Sequence, residues 1–197
     1  MIKHIIALAC LIPLSLAKGC DLTNLRIAVF NLEMNNNNGS CIFAKGCRLS
    51  NLSCRCMSHM NSSIEATTYS DLESLVDVVT RGDVCGALYF SDNFTDALVA
   101  RIALGPDADE ETLMQSEIRV WVNKSNPSIH SVLVRNVKAA YREFSKQLLQ
   151  DCDNFTSTGN DYEADKNCVN ENPSLTGSHK PEALDNFSLC WPLTRTD

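Results

Sequence analysis

The strongest hydrophobic signal in the chain runs from Val84 to Phe90. Val84, Gly86, Leu88 and Phe90 alternate with Cys85, Ala87 and Tyr89, so both faces of a period-2 pattern are apolar. A strand apolar on both faces belongs in the middle of a covered sheet. Gly82, just before it, suits the left-handed residue that ends a helix. Ser91 or Asp92, just after it, suits the cap of the next helix. Arg81-Gly82-Asp83 is also the tripeptide that integrins read, but beside a buried strand Gly82 reads first as a C-cap.

The remaining elements follow by the same logic. Leu25-Arg-Ile-Ala-Val-Phe-Asn31 is a strand rich in β-formers. Asn35 to Gly39 is a polar loop. Ser70-Asp-Leu-Glu73 is a capping box, with Ser70 as cap, ahead of a helix whose face is Leu72, Leu75, Val76 and Val79. Phe94 to Leu104 is apolar on both sides and predicts a buried helix ended by Gly105-Pro106. Asp107, Asp109, Glu110 and Glu111 read as a solvated acidic loop without the spacing of a calcium loop. Ile118-Arg-Val-Trp-Val122 alternates as a strand with one polar face. Asn126 and Pro127 then open the longest helix, marked by Ile129, Leu133, Val137, Ala140, Phe144 and Leu148 and ending at Asp151-Cys152. Residues 153–197 are polar and aperiodic, and an irregular tail is expected there. The fold class that follows is α/β, a small three-stranded sheet, mixed or parallel, with helices packed on it and a Cys-rich loop beside it.

Cysteine usage changes this picture. The chain holds 10 cysteines. Cys10 lies in the N-terminal apolar run. Cys41, Cys47, Cys54 and Cys56 are spaced C-x5-C-x6-C-x-C, which does not match the C-x2-C pairs of zinc sites. Disulfides pinning an irregular loop are expected instead, with Cys168 and Cys190 available to hold the tail. Seven N-x-S/T sequons, at Asn38, Asn51, Asn61, Asn93, Asn123, Asn154 and Asn186, point with the cysteines to the secretory pathway. Residues 1–17 carry Lys3 and His4, an apolar run and the small-x-small pattern Ser15-Leu16-Ala17. They read as a signal peptide or as the remnant of a membrane helix. Residues 18–152 form the α/β domain. The expected location is the extracellular face of the plasma membrane or the medium.

Chemistry is sparse. The formal net charge is -7, without a basic patch, which argues against nucleic acid and anionic lipid as partners. No phosphate-binding G-x-x-x-x-G-K-[ST] loop, no G-x-S-x-G elbow and no H-E-x-x-H pair occurs. His59, His130 and His179 are scattered, and His130 falls on the solvated side of its helix. A Cys–His pair close only in space stays open. No catalytic residue, cofactor or metal ligand is expected.

Several segments in order carry a resemblance: Leu25–Asn31, Leu52-Ser-Cys-Arg-Cys56, Arg81–Thr95, Ile118–Asn126 and Phe144–Cys152. Together they resemble the large extracellular domain of arthropod ABC transporters of the G/H subfamily, over roughly residues 5 to 155. In that family the domain follows the first membrane helix of the permease half, and the run ending Leu16-Ala-Lys-Gly-Cys20 looks like the outer end of that helix. The family's nucleotide-binding motifs and later membrane helices have no counterpart in this sequence. The resemblance therefore implies an isolated extracellular domain, a truncated product or a partial gene model, non-catalytic in each case, whose domain shapes the outer exit of an export pathway. It implies pairing with a second copy or a partner transporter half, and membrane contact only through an uncleaved N-terminal run. It also implies that Cys41, Cys47, Cys54 and Cys152 form disulfides, while Cys56 stands where the family has an aromatic residue. Cys85, in the buried strand, reads as a free thiol. The alternative is a secreted disulfide-bonded glycoprotein acting as a binding module.

Overall fold

The computed structural model describes residues 20–35, 41–43, 46–60, 62–152, 169–170 and 184–189. The N-terminal apolar run lies outside them. The chain forms a mixed α/β sandwich. Strands β1 (Leu25–Asn31), β2 (Ile64–Thr68), β3 (Gly86–Phe90), β4 (Ile118–Asn123), β5 (Val169–Asn170) and β6 (Leu184–Leu189) make one sheet. Their order is β2-β1-β3-β4-β6-β5. β1 runs parallel to β2 and to β3, whereas β3 with β4, β4 with β6, and β6 with β5 run antiparallel.

The sheet is larger than the three strands expected. Five strands have five or more residues, and β5 is a two-residue sixth. β2 eluded the periodic reading because it is an edge strand. Only Ile64 is buried, and Glu65 to Thr68 are exposed. β6 lies in the tail expected to be irregular. Its six residues pair with β4 from Ile118↔Leu189 to Asn123↔Leu184, burying Leu184, Phe187 and Leu189. A polar stretch is held as a strand here by the ladder and by apolar anchors, not by local propensity.

The helices are α1 (Leu32–Asn35), α2 (Leu52–Met57), α3 (Leu72–Arg81), α4 (Phe94–Leu104), α5 (Glu110–Gln115) and α6 (Pro127–Asp151). Two of them replace expected loops. α2 sits inside the Cys-rich segment. α5 sits in the acidic segment, where Asp109 accepts a hydrogen bond from the Thr112 amide at 2.7 Å and Glu110 and Glu111 occupy the first turn. Carboxylates at a helix N-terminus are favoured by the free amides and the helix dipole.

Alternation along the strands divides the core into two layers. Leu25, Ile27, Val29, Leu88, Phe90, Val120 and Val122 face α2, α4 and α6. Ala28, Phe30, Ala87 and Trp121 face α3 through Leu75, Val78 and Val79. The central placement of the Val84–Phe90 stretch holds, since β3 lies between β1 and β4. The face of β4 expected to be polar is instead partly covered. Trp121 is 2% exposed under α3, and Arg119 lies over the Tyr89 ring, 5.5 Å from its centroid. Gly86 is required by close approach. A Cβ there would stand 2.6 Å from the Trp121 carbonyl oxygen and 2.8 Å from the Leu133 side chain of α6.

Some helix ends match the sequence reading and others do not. Gly82 has φ 80° and closes α3 with its amide on Val78 and Val79 carbonyls. Arg81 pairs with Asp77 and, at 2.9 Å, with Asp83, so the tripeptide ends are bridged to each other. The cap of α3 is Asp71 rather than Ser70, accepting from the Ser74 amide at 2.7 Å. Asn126 accepts from the amides of Ser128 and Ile129 at 3.1 and 3.3 Å, with Pro127 in the first turn of α6.

Candidate functional site

Open α/β sheets bind ligands outside the carboxyl ends of parallel strands, where the chain switches sides. Here the chain leaves β1 for β2 on one side, then crosses to β3 on the other. At that end a cleft of ≈ 460 Å³ opens between the end of β1 and the start of α3. Asn31 and Met34 form one wall. Thr68, Tyr69 and Ser70 form the other, and Asp71 and Ser74 close it. The Tyr69 amide extends the ladder by donating to the Val29 carbonyl at 2.8 Å. Five of the seven residues lining the cleft carry a side-chain hydroxyl or amide. Its carboxylate, Asp71, is held below its ordinary pKa by the Ser74 amide and hydroxyl. The cleft can offer several hydrogen bonds to a polar ligand. No histidine or cysteine lines it.

Beside the cleft, the anion that the strand ends would attract is supplied by the chain itself. Glu33 is buried after β1. Its carboxylate accepts from the Thr95 amide at 3.0 Å, from the Ser53 amide at 3.3 Å and from the Ser53 hydroxyl. One carboxylate thus satisfies amides in the first turns of both α2 and α4. Asn31 Nδ2 donates to Ser53 Oγ at 2.9 Å, and the Leu52 amide donates to Thr95 Oγ1 at 2.8 Å. This explains why neither Ser91 nor Asp92 caps α4. Asn93 is the N-cap, and its side chain makes no cap bond. Ser91 Oγ donates to the Gln115 carbonyl at 2.7 Å instead. Nothing in the sequence signals this arrangement beyond a lone acid after an apolar strand.

Other buried polar groups are only partly committed: among the described residues Arg101 Nε and the Tyr141 hydroxyl have no hydrogen-bond partner. Arg101 is buried, with Nη1 on Ser116 Oγ at 3.0 Å and 4.0 Å from Glu117. Burial pulls its pKa down, opposed by Tyr141 and Glu117. Burial raises the Tyr141 hydroxyl. Arg55 pairs with Asp151, tying α2 to the end of α6.

Among the described residues the structure makes three disulfides. Cys41 pairs with Cys54 and Cys47 with Cys152, at Cα separations of 5.3 and 4.8 Å. The expectation of a free Cys85 is overturned. It pairs with Cys20 at a Cα separation of 5.3 Å, because the residue before β3 lies beside the start of β1 and its amide donates to the Arg26 carbonyl at 2.8 Å. Cys56 is a free thiol, 1% exposed and raised in pKa by burial, so it stays protonated and sealed from solvent. Cys168 and Cys190 lie outside the described residues.

His59 is half-buried one turn past Cys56, and burial lowers its pKa, reinforced by Arg55 and opposed by Glu143. His130 is half-buried on α6 rather than fully solvated. His179 is outside the described residues.

Of the sequons, Asn38, Asn61 and Asn154 lie outside the described residues, and Asn186 sits in β6 opposite Trp121. Asn51 has φ 51° and donates Nδ2 to the Ile42 carbonyl at 2.8 Å. Asn93 is exposed, and Asn123 is half-buried. Among the described residues no group of His, Cys, Asp and Glu could hold a metal ion. Nor is any helix there long and apolar enough to cross a membrane. Comparison with family models, with curated proteins and with solved structures finds no match.

Proposed function

We propose that this chain is the extracellular domain of an ABC-transporter permease half, an accessory element that shapes the outer exit of an export pathway. The observation that carries the reading is the cysteine pairing. The four cysteines singled out by the resemblance pair among themselves, Cys41 with Cys54 and Cys47 with Cys152. Disulfides of this density belong to an oxidising compartment. The segments of the resemblance also coincide with β1, α2, β3, β4 and the end of α6. Buried charges are spent on holding these elements together, with Glu33 bridging two helix ends and Arg55 fastened to Asp151. Such a domain is suited to a rigid, non-catalytic role.

A second reading, a secreted binding module, draws on the hydroxyl-lined cleft and on the exposed edge strand β2. Transcript mapping in the source cells, with fractionation of the native product, separates the two. A reading frame that continues into membrane helices, with the product in the plasma membrane, supports the first. A soluble product in the medium, beginning near Lys18, supports the second and defeats the first.

A further inference from the structure

We infer that Asn93 carries an N-linked glycan in the folded protein and that Asn123, which also heads a sequon, does not. The inference rests on the secretory reading above and goes beyond it by assigning a modification site. A glycan is joined through Nδ2. One Nδ2–H is replaced by a bond to the sugar C1, the sugar's bond to its polyprenyl-diphosphate carrier breaks, and the proton leaves with the diphosphate. A folded site must therefore leave Nδ2 facing open solvent.

Asn93 meets that condition. It is exposed, and it precedes α4 without capping it. The capping work is done across the fold by Glu33, whose carboxylate takes the Thr95 amide at 3.0 Å. The Asn93 side chain is thereby left spare. Thr95, the hydroxyl residue of the same sequon, is 7% exposed, and its Oγ1 accepts from the Leu52 amide at 2.8 Å. Folding closes this hydroxyl. Transfer to Asn93 thus belongs to the nascent chain, before α2 and α4 meet, and the finished glycan projects from a surface that folding leaves open.

Asn123 fails the condition. Its Nδ2 donates to the Val79 carbonyl at 2.7 Å, and its Oδ1 accepts from the Ser125 amide at 2.8 Å. The same Nδ2 lies 3.8 Å from where a Cβ on Gly82 would stand. The side chain staples the end of β4 to the end of α3, and a sugar there would have to occupy that junction. A chain glycosylated at Asn123 cannot close it.

Site-resolved glycopeptide mass spectrometry tests this on protein secreted from insect cells, once with the native N-terminus and once behind a heterologous signal peptide. The expected result is an occupied Asn93 and a bare Asn123 in both. Bare Asn93 or occupied Asn123 in the folded, secreted product of the heterologous leader overturns the inference. If only the native-leader chain stays inside the cell without glycan, the secretory reading fails while the site assignment stands. Two variants supply an independent readout. Asn93→Gln should lose one glycan's mass and, compared after glycan trimming, keep the wild-type melting temperature. Asn123→Gln should keep the mass and melt about 3–6 °C lower. Loss of a glycan's mass in Asn123→Gln contradicts the assignment.

Discussion

Glu33 Oε1 accepts a hydrogen bond from the Thr95 amide at 3.0 Å, across 62 residues of sequence. The other carboxylate oxygen holds Ser53. A buried acid next to β1 thus sets the positions of two helices that the chain builds later. Buried amides left without it would lose their partners and could not recover them from water.

Glu33→Ala should therefore destabilise the protein by about 2–3 kcal/mol in chemical denaturation, and Glu33→Gln by about half as much. The amide keeps an acceptor oxygen but loses the charge that favours a helix N-terminus. An unchanged denaturation midpoint for Glu33→Ala would mean that the carboxylate does not hold the two helix ends in place.

Gly86→Ala should cost about 1–3 kcal/mol. The added methyl meets the Trp121 carbonyl oxygen at 2.6 Å, a backbone atom that cannot swing aside. Combining it with Leu133→Ala removes only the second contact, so the pair should not recover stability. Thermal melts of the single and double variants decide this. A wild-type melting temperature for Gly86→Ala would mean that β3 and β4 sit further apart.

Disulfide mapping of non-reduced peptides should find Cys20 joined to Cys85, Cys41 to Cys54 and Cys47 to Cys152. Replacing Cys20 and Cys85 together by Ser should lower stability by about 2–5 kcal/mol, since that bridge closes 65 residues of sequence. A native Cys85 that alkylates after unfolding without reductant would refute the pairing.

Stability should also fall on acidification through His59. Its folded pKa lies below 6.5, mainly because burial disfavours the imidazolium. The unfolded chain then binds the proton more readily. The neutral-state contribution is complete above 6.5, declines as pH falls below it, and levels off below the folded pKa. His59→Gln should flatten that part of the stability profile. The same slope in the variant would assign it to another group.

Local patterning carried much of the architecture. The two-faced apolar run around Leu88 announced a central strand, and β3 is one. The spacing from Ile129 to Leu148 announced the buried stripe of α6, and Gly82 announced the end of α3. These features were legible because each depends on residues within a few positions of one another. The cleft was not legible. The end of β1 and the capping segment before α3 were each visible, but the approach of Asn31 to Tyr69 and Ser74 was not.

What tertiary structure decided is of another kind. β2 and β6 exist because a neighbouring strand offers them a ladder, and neither contains enough apolar residues to declare itself. Cys85 finds Cys20 only once β1 and β3 lie side by side. The Asn93 side chain is spare and the Asn123 Nδ2 engaged through residues outside both sequons, Glu33 for the one and Val79 for the other. Sequence alone determined the longer periodic elements, the Gly82 end of α3 and the Asn126 cap of α6, since those follow from local geometry. The sheet edges, the disulfide partners and the fate of each polar side chain depend on contacts between segments far apart in sequence. Only the folded chain brings those segments within hydrogen-bonding distance.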